Sequence, residues 1–381
     1  MINIPFNKPY IPQGTFDEIS RLLKSGNQLN GDGRISELCE NKLTKIIHTK
    51  NKILLTNSCT SSLEIASLCC NLTSEDEVIL PSYTFVATAT AFTRTKAKIR
   101  FCDIDLIYGN ICLSNLEELI NKRTKVIVCV HYAGHSCDLD KLIRICKLHN
   151  IILIEDCAQG IHGSFNNKKL GTFGAFGCFS FHDTKNISSG EGGCLLINDS
   201  RYIERSQYIR DKGTNRKNFK DKLVNKYHWI DEGSSYILSE LNACLLLHGL
   251  EESTQIYEKR KYIWEFYNTN LKSLEQKNKI KIQKIPEYNK NAAHIFYFLI
   301  QAKKRAELIK FLKENGVEAT FHYVPLHNSP YAINNLNYDQ QTNFINTIKF
   351  SESIIRLPLR ANLSENECAL ICESIHKFFK N

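Results

Sequence analysis

Short apolar runs recur along residues 52–200, and stretches with helical spacing lie between them. Several runs are continuous over four to six residues, which is typical of strands covered on both faces. The predicted strands are KILLT (52–56), EVILP (77–81), AKIRFCD (97–103), KVIVCVH (125–131), IILIED (151–156), GCFSF (177–181) and GCLLI (193–197). The predicted helices between them cover 60–70, 85–95, 114–121 and 138–149. This alternation predicts an α/β fold with a mostly parallel, seven-stranded sheet.

The pattern changes near residue 270. Leucines at helical spacing predict one long helix over 239–270 that leads out of the large sheet region. The elements predicted beyond it are strands over 279–285, 295–301 and 319–325 and helices over 304–315 and 364–380. The sequence therefore predicts a large domain with an N-terminal segment over 1–250 and a small C-terminal α+β domain over 251–381.

Cysteine is frequent, with 15 residues among 381, which raises the question of disulfides or zinc. No CxxC pair occurs, and most cysteines lie within apolar runs, so free and buried thiols are expected. The start of the chain, MINIPFNKPYIP, lacks the features of a signal peptide, and no apolar run reaches 18 residues. These features predict a soluble, cytoplasmic protein without a membrane span.

The formal net charge is +9, which is compatible with an anionic small substrate or with nucleic acid. No zinc-finger, helix-turn-helix or aromatic RNA-binding signature accompanies it, so no nucleic-acid partner is predicted. The basic clusters at 258–262 and 276–284 are interpreted as solvated faces. The segment HYAGHSCDLD (131–140) offers metal-ligating side chains at short spacing, but no metal site is predicted there.

Three polar segments follow predicted strands, where ligands of parallel sheets bind. EDCAQG ends a buried strand with two acids, the second of which is Asp156. Lys185 follows the strand that ends near Ser180 and precedes a glycine-rich turn. Thr60 opens a helix, whose free amides and dipole favour a phosphate group. Each segment alone also fits a structural role, as a strand-end turn, a surface lysine or a helix cap.

Together these segments supply an anion site, a carboxylate and a lysine beside a glycine turn. Pyridoxal phosphate (PLP) needs these three groups, for its phosphate, its pyridinium nitrogen and its Schiff-base linkage. The glycines of GTFGAFG (171–177) precede a strand, so they do not form a dinucleotide-binding fingerprint. The absence of a Walker lysine motif argues against a nucleoside triphosphate.

Ordered motifs along nearly the whole chain resemble the sugar-nucleotide aminotransferases of the DegT/DnrJ/StrS type. The resemblance implies the aspartate-aminotransferase fold (fold type I). The motifs that carry it are NSCTSSLE, PSYTFVATA, VHYAG, EDCAQG, CFSFHDTKN with GEGG, KGTNR, DEGSSYILSELNA and FHYVPLH.

The resemblance assigns the chemistry to two residues. Lys185 would link covalently to PLP, and Asp156 would pair with the pyridinium nitrogen. Gln159 would contact the ring hydroxyl. A few relatives have histidine in place of the lysine and are dehydratases or deoxygenases, so the lysine found here favours transamination.

The resemblance also implies a phosphate site and a ring-stacking residue. Thr60, Ser61 and Ser180 would bind the phosphate, and Phe85 would stack on the pyridine ring. Cys59 departs from the family pattern, since many relatives have glycine there. Many relatives also place an asparagine of the neighbouring subunit near the phosphate, where this chain has Ile237.

The implied reaction transfers an amino group from L-glutamate to a nucleotide-linked 4-keto-6-deoxy sugar, with dTDP-4-keto-6-deoxyglucose and a galacto product favoured. Another C4 epimer, a 3-amino sugar, a UDP carrier and a catalytically idle binding protein are the alternatives. The family also implies a homodimer. Lys212, Arg216 and Lys226 lie in a basic region that is a candidate for binding the diphosphate, and His327 is a candidate for lining the sugar pocket.

Overall fold

A computed structural model of the chain describes residues 3–336 and 344–380. Its strands are β1 Lys52–Thr56, β2 Glu77–Pro81, β3 Lys98–Cys102, β4 Thr124–Val130, β5 Ile152–Asp156, β6 Ser164–Phe165, β7 Lys168–Lys169, β8 Phe176–Ser180, β9 Gly193–Ile197, β10 Lys281–Ile282, β11 Asn289–Lys290, β12 Phe296–Leu299 and β13 Ile354–Leu357. Its α-helices are α1 Gly14–Lys24, α2 Arg34–Ile46, α3 Cys59–Cys69, α4 Val86–Thr93, α5 Leu113–Leu119, α6 Leu139–Leu148, α7 Ile203–Arg210, α8 Arg216–Lys220, α9 Glu240–Glu251, α10 Ser253–Asn270, α11 Lys272–Gln276, α12 Ala302–Glu314, α13 Pro330–Asn335, α14 Ile345–Ser353 and α15 Glu365–Lys380.

The seven-stranded sheet has the order β1-β9-β8-β5-β4-β2-β3. β9 is antiparallel to both of its neighbours, and the other adjacent strands pair in parallel. The predicted α/β fold and mostly parallel sheet are confirmed. Five strands that precede site segments, β1, β2, β4, β5 and β8, end at the same edge of the sheet. β9 begins at that edge.

Both faces of this sheet are covered, which explains its continuous apolar runs. Successive residues of a strand point to opposite faces. Accordingly, Leu153 and Ile127 belong to one core, while Ile154 and Val128 belong to the core on the other side.

A second, antiparallel sheet has the order β10-β12-β13. Phe296 and Phe298 of β12 are fully buried in a separate apolar core that also includes Ile355 and Leu357 of β13. Helices α10, α12 and α15 pack around this core. We refer to this sheet as the small sheet.

The prediction of one continuous helix over 239–270 is wrong. The helix ends at Glu251, Glu252 adopts φ −91° and ψ 9°, and a new helix starts at Ser253. The break has a packing reason: Leu246 faces the core of the large sheet, whereas Tyr267 faces the core of the small sheet. The apolar face of a single straight helix could not pack against both cores.

The predicted strand over 319–325 is also absent from the described residues, where only Thr320 forms a single bridge, with Arg356. Pro325 has no amide hydrogen to donate to a ladder. Within the same segment, His322 and Tyr323 line a cavity that is described below. β13, the third strand of the small sheet, was not predicted.

All fifteen cysteines are free thiols, and thirteen of them are buried. Burial raises the thiol pKa, for example to about 12 at Cys146. The cysteines therefore act as small apolar core residues, as predicted. None of the described helices is both long and apolar enough to span a lipid bilayer.

Candidate active site

A cavity of about 550 Å³ opens at the edge of the large sheet where β5 and β8 end. Six of the seven residues predicted to bind the cofactor line this one cavity. They are Thr60, Phe85, Asp156, Gln159, Ser180 and Lys185. Segments more than 100 residues apart in the sequence thus meet at one place, as the strand-end rule predicts.

Asp156 is held rigidly at the end of β5. Its carboxylate accepts a hydrogen bond from the Thr88 hydroxyl at 2.7 Å and another from the Ala158 amide at 3.0 Å. The side chain is buried, and its polar support compensates for the loss of hydration. A buried carboxylate in a fixed orientation is suited to pairing with a protonated ring nitrogen.

Lys185 lies in the turn after β8, and its amine forms no ion pair within residues 3–336 and 344–380. Burial lowers the pKa of Lys185, while the nearby Asp156 carboxylate and Cys59 side chain act in the opposite direction. A lysine with a lowered pKa is more often neutral at physiological pH and is therefore a better nucleophile.

The start of α3 forms an open anion site. The Ser58 hydroxyl caps the Ser61 amide at 3.0 Å, and the Cys59 and Thr60 amides ahead of it have no intrahelical acceptor. A Cβ atom at Gly193 of β9 would lie 2.5 Å from the Cys59 nitrogen, so only glycine allows this close approach. Helix starts of this kind bind phosphate groups.

The seventh predicted residue, Ser61, does not line the cavity. Its hydroxyl donates to Asn57 Oδ1 at 2.5 Å and lies 2.9 Å from the Ser58 hydroxyl. The structure thus uses this side chain to build the helix cap, one residue beyond Thr60, which does line the cavity.

Gln159 is fixed at both ends of its amide. Its carbonyl oxygen accepts from the Ala133 amide at 2.6 Å, and its nitrogen donates to the Tyr323 hydroxyl at 3.1 Å. Phe85 caps the start of α4, and its ring is 57% exposed in the single chain. An exposed aromatic ring on the wall of a polar cavity can stack on a planar ligand.

The four candidate substrate-binding residues, Lys212, Arg216, Lys226 and His327, do not line this cavity. Lys212 is exposed and pairs with Asp211 at 3.0 Å, and Arg216 begins α8. His327 is buried: its Nδ1 lies 2.6 Å from the Ser82 hydroxyl, and its ring stacks on Phe344. Burial lowers the pKa of His327 to about 4, so its imidazole is neutral at physiological pH. Its contacts with Ser82 and Phe344 indicate a structural role.

The sequence did not identify the residues that approach the cavity from the small sheet and its connections. They are Arg260, His294, His322, Tyr323 and Arg356. Arg260 belongs to the basic cluster 258–262, which was interpreted as a solvated face, yet its side chain is buried. Arg356 interrupts the apolar run IIRLPL. A single charged residue in an apolar run is the sequence feature that could have identified it as a site residue.

Arg260 and Asn186 fix the segment 292–294 beside Lys185. The Arg260 guanidinium donates to the Ala293 and His294 carbonyls at 3.0 and 2.7 Å. Asn186, next to Lys185, donates to the Ala292 carbonyl at 2.8 Å and contacts His294 Nδ1 at 2.8 Å. Burial keeps the pKa of His294 well below its usual range, so a neutral imidazole borders the cavity.

The two acids of EDCAQG have different roles, because adjacent residues of β5 point to opposite faces. Glu155 accepts from the Gly171, Phe173 and Gly174 amides at 2.6–2.8 Å, and its Oε2 lies 2.8 Å from His131 Nε2. Of the two acids that end this strand, only Asp156 lines the cavity, and Glu155 points away from it. His131, Glu155 and Cys157 have their ligand atoms within 4.8 Å, but the carboxylate is saturated by these donors.

Glu155→Ala is expected to destabilise the fold by at least about 3 kcal/mol, because it leaves several buried donors without an acceptor. Urea denaturation followed by circular dichroism measures the change. Glu155→Gln is the matched control, since its amide oxygen still accepts and about half of the loss should remain. A change below about 1 kcal/mol for the alanine variant would show that these bonds do not stabilise the turn over 171–174.

The residues of the cavity fit PLP. The α3 start and the Ser180 hydroxyl provide a phosphate site, Asp156 provides a carboxylate, and Lys185 provides an unpaired amine. Gly193, which has no side chain, lets β9 pack directly against the backbone of Ser58 and Cys59 at this helix start. PLP, when bound, supplies an electron-accepting ring that stabilises negative charge developing on the substrate carbon.

The sequence model of the DegT/DnrJ/EryC1/StrS aminotransferase family matches residues 9–376 of this chain. The chain is 30% identical over 381 residues to the uncharacterized protein MJ1066 of Methanocaldococcus jannaschii, covering 98% of this chain and 97% of that protein. It is 28% identical to the GDP-perosamine synthase of Escherichia coli O157:H7, over 99% of each chain. The structure of Spr1654 from Streptococcus pneumoniae in its PLP form is similar with a TM-score of 0.89, at 25% identity and 99% coverage of each chain.

Proposed function

The chain belongs to the DegT/DnrJ/EryC1/StrS aminotransferase family and is a PLP-dependent sugar-nucleotide aminotransferase, and we propose that it aminates C4 of dTDP-4-keto-6-deoxyglucose with L-glutamate as donor. The observation that carries the proposal is the convergence of Lys185, Asp156, Gln159 and Ser180 on one cavity.

We propose the following roles for these residues. Lys185 holds the cofactor and then, as a free amine, moves the proton at the reacting carbon, as a general base and acid. The negative carboxylate of Asp156 keeps a positive charge on the cofactor nitrogen. Hydrogen bonds from Thr88 and Ala158 fix the orientation of this carboxylate. Ser180 and the α3 start bind the phosphate, and Gln159 positions the ring.

Relatives within the family are named for three different nucleotide carriers, GDP, UDP and dTDP. They include GDP-perosamine synthase, UDP-4-amino-4,6-dideoxy-N-acetyl-beta-L-altrosamine transaminase and dTDP-3-amino-3,6-dideoxy-alpha-D-galactopyranose transaminase. The motifs VHYAG, KGTNR and DEGSSY support the dTDP-linked galacto product, because their amino-acid sequences resemble those of dTDP-4-amino-4,6-dideoxygalactose transaminase.

Purified enzyme incubated with dTDP-4-keto-6-deoxyglucose, L-glutamate and PLP is expected to give the dTDP-linked 4-amino-4,6-dideoxygalactose. NMR of the product distinguishes the epimers, because an axial C4 amine gives a small coupling between H3 and H4. Parallel reactions with GDP- and UDP-linked 4-keto sugars are the controls. Faster turnover of either control, a 3-amino product or the gluco epimer would contradict the proposed substrate or stereochemistry.

We further propose that the enzyme is a homodimer in the cytoplasm. Large apolar side chains are exposed in the segment 219–230, including Trp229, which is 83% exposed, and Leu223, which is 73% exposed. Exposed apolar patches of this kind mark interaction surfaces. Lys212 and Arg216 lie just before this segment. We therefore expect them to contact a substrate that is bound in the cavity of the partner subunit. Fifteen free thiols fit a reducing compartment.

A further inference from the structure

A groove of about 1290 Å³ lies beside the small sheet, and it is larger than the cavity that contains Lys185. Its walls come from residues 106–107, from β10 and the turn before it, from the end of β12 and from helices α12 and α14. No described residue lines both the groove and the cavity. The groove is therefore a separate site, which the proposed transamination does not use.

The groove has an apolar lining. Ile107 is 58% exposed, and Ile345, the first residue of α14, is 59% exposed. Leu106, Leu299 and Ile348 belong to the same lining and are half-buried. Apolar side chains that line one recess lose their contact with water when an apolar ligand fills it, which favours binding. The lining therefore favours a ligand that has a hydrocarbon part.

The groove also carries an excess of positive charge, because five lysines and two glutamates line it. Lys284 pairs with Glu275 at 2.9 Å. The other four lysines form no ion pair within residues 3–336 and 344–380, and they are Lys279, Lys281, Lys303 and Lys349. An apolar recess with unpaired ammonium groups is complementary to an anion that carries a hydrocarbon chain.

β10 lies at the edge of the small sheet, and an extended peptide could in principle add a strand to such an edge. That pairing needs amides that face away from β12. The Ile282 amide, however, already donates to the Glu275 carboxylate at 3.1 Å. Lys272 and Lys284 hold this carboxylate in place through ion pairs. The structure therefore favours a hydrocarbon chain over a peptide strand.

The shape of the groove favours one lipid molecule over a membrane surface. Proteins that bind a membrane surface insert apolar side chains that project from the protein. Leu106, Leu299 and Ile348 are instead half-buried within the recess, so only a chain that enters the groove can cover them. The volume exceeds the roughly 300–1,000 Å³ that is typical of small-molecule sites.

We propose that the groove binds one single-chain lipid with an anionic head group. The hydrocarbon chain lies against the apolar lining, and the carboxylate or phosphate of the head group lies among the four unpaired lysines. This binding does not depend on the proposed transamination, because the groove and the cavity have no lining residue in common.

Isothermal titration calorimetry with laurate, below the concentration at which it forms micelles, tests this assignment. We expect one laurate per chain with a Kd on the order of 10 µM. Dodecyl phosphate should bind with a similar Kd, because it has the same chain and an anionic head group. Dodecyltrimethylammonium has the same chain and the opposite charge, so its Kd should be at least about tenfold higher. Acetate and inorganic phosphate, which lack the chain, should not bind.

Substitutions test the lysines and the apolar lining separately. The double variant Lys281→Gln, Lys303→Gln should bind laurate about 25-fold more weakly, which is about fivefold for each lysine. Ile345→Asp puts a negative charge at an exposed position of the lining and should weaken binding at least about tenfold. Lys310→Gln is the matched control, because Lys310 also lies on α12 but is 79% exposed and outside the groove. It should bind laurate like the wild type.

Equal laurate binding by the wild type and the double variant would overturn the proposal, and so would equally tight binding of dodecyltrimethylammonium. An absence of laurate binding would also refute it, including the case in which a second copy of the chain covers the groove. Sedimentation of the protein with anionic vesicles, without binding of monomeric laurate, would indicate a membrane surface as the partner and would contradict a single-lipid site. If circular dichroism shows that the double variant is unfolded, Ile345→Asp decides by the same comparison.

Discussion

Lys185→Ala is expected to abolish turnover, by at least about 10⁴-fold, and to remove the visible absorbance of the lysine-linked cofactor. Both effects would have one cause, because in the proposed function the same amine provides the covalent link and moves the proton. The environment of Lys185 supports this double role: its amine lines the cavity, forms no ion pair among the described residues and has a lowered pKa because it is buried.

Lys122→Ala is the control for this experiment, because Lys122 is an exposed lysine in a turn away from the cavity. It should retain wild-type absorbance and rate. Lys185→Arg keeps the positive charge, so its expected inactivity separates the loss of the nucleophile from the loss of charge. Turnover by Lys185→Ala at more than about 1% of the wild-type rate would contradict the assignment.

Asp156→Ala is expected to lower turnover by about 10³-fold while some cofactor remains bound. The reason is that the proposed phosphate contacts at the α3 start and Ser180 would persist, whereas the charge proposed to stabilise a protonated ring nitrogen would be lost. The rate is measured with saturating PLP, and the bound cofactor is quantified by absorbance after gel filtration.

Asp156→Asn is the closest variant in size, and its amide oxygen can still accept one of the two bonds from Thr88 and Ala158. We expect it to fold like the wild type and to be nearly as slow as the alanine variant. A rate within tenfold of wild type for Asp156→Asn would show that the negative charge is not required.

The large sheet could be predicted from sequence because its strands are continuous apolar runs covered on both faces. The strand-end rule then placed Asp156, Ser180 and Lys185 together, and the structure confirms that they share a cavity. Predicting the orientation of the Glu155 side chain would have required knowing how β5 pairs with its neighbouring strands. Only the structure shows that Glu155 points to the turn over 171–174 rather than into the cavity.

The small-sheet side of the cavity was not predictable in the same way. His294 and Arg356 are more than 100 residues from Lys185 in the sequence and follow no strand-end motif. Arg260 lies in a cluster that resembles an exposed helix face, and its burial depends on the carbonyls of Ala293 and His294. Such residues acquire their function from tertiary packing, which a local pattern does not encode.

The most direct test of the central claim is to identify the lysine that binds the cofactor. The enzyme is loaded with PLP, treated with borohydride to make the lysine linkage permanent, digested and examined by tandem mass spectrometry. We predict a single phosphopyridoxyl group, on the peptide that contains Lys185, and none when L-glutamate is added before reduction. A label on another lysine, or no label despite bound PLP, would contradict the assignment of Lys185 and of the site built around it.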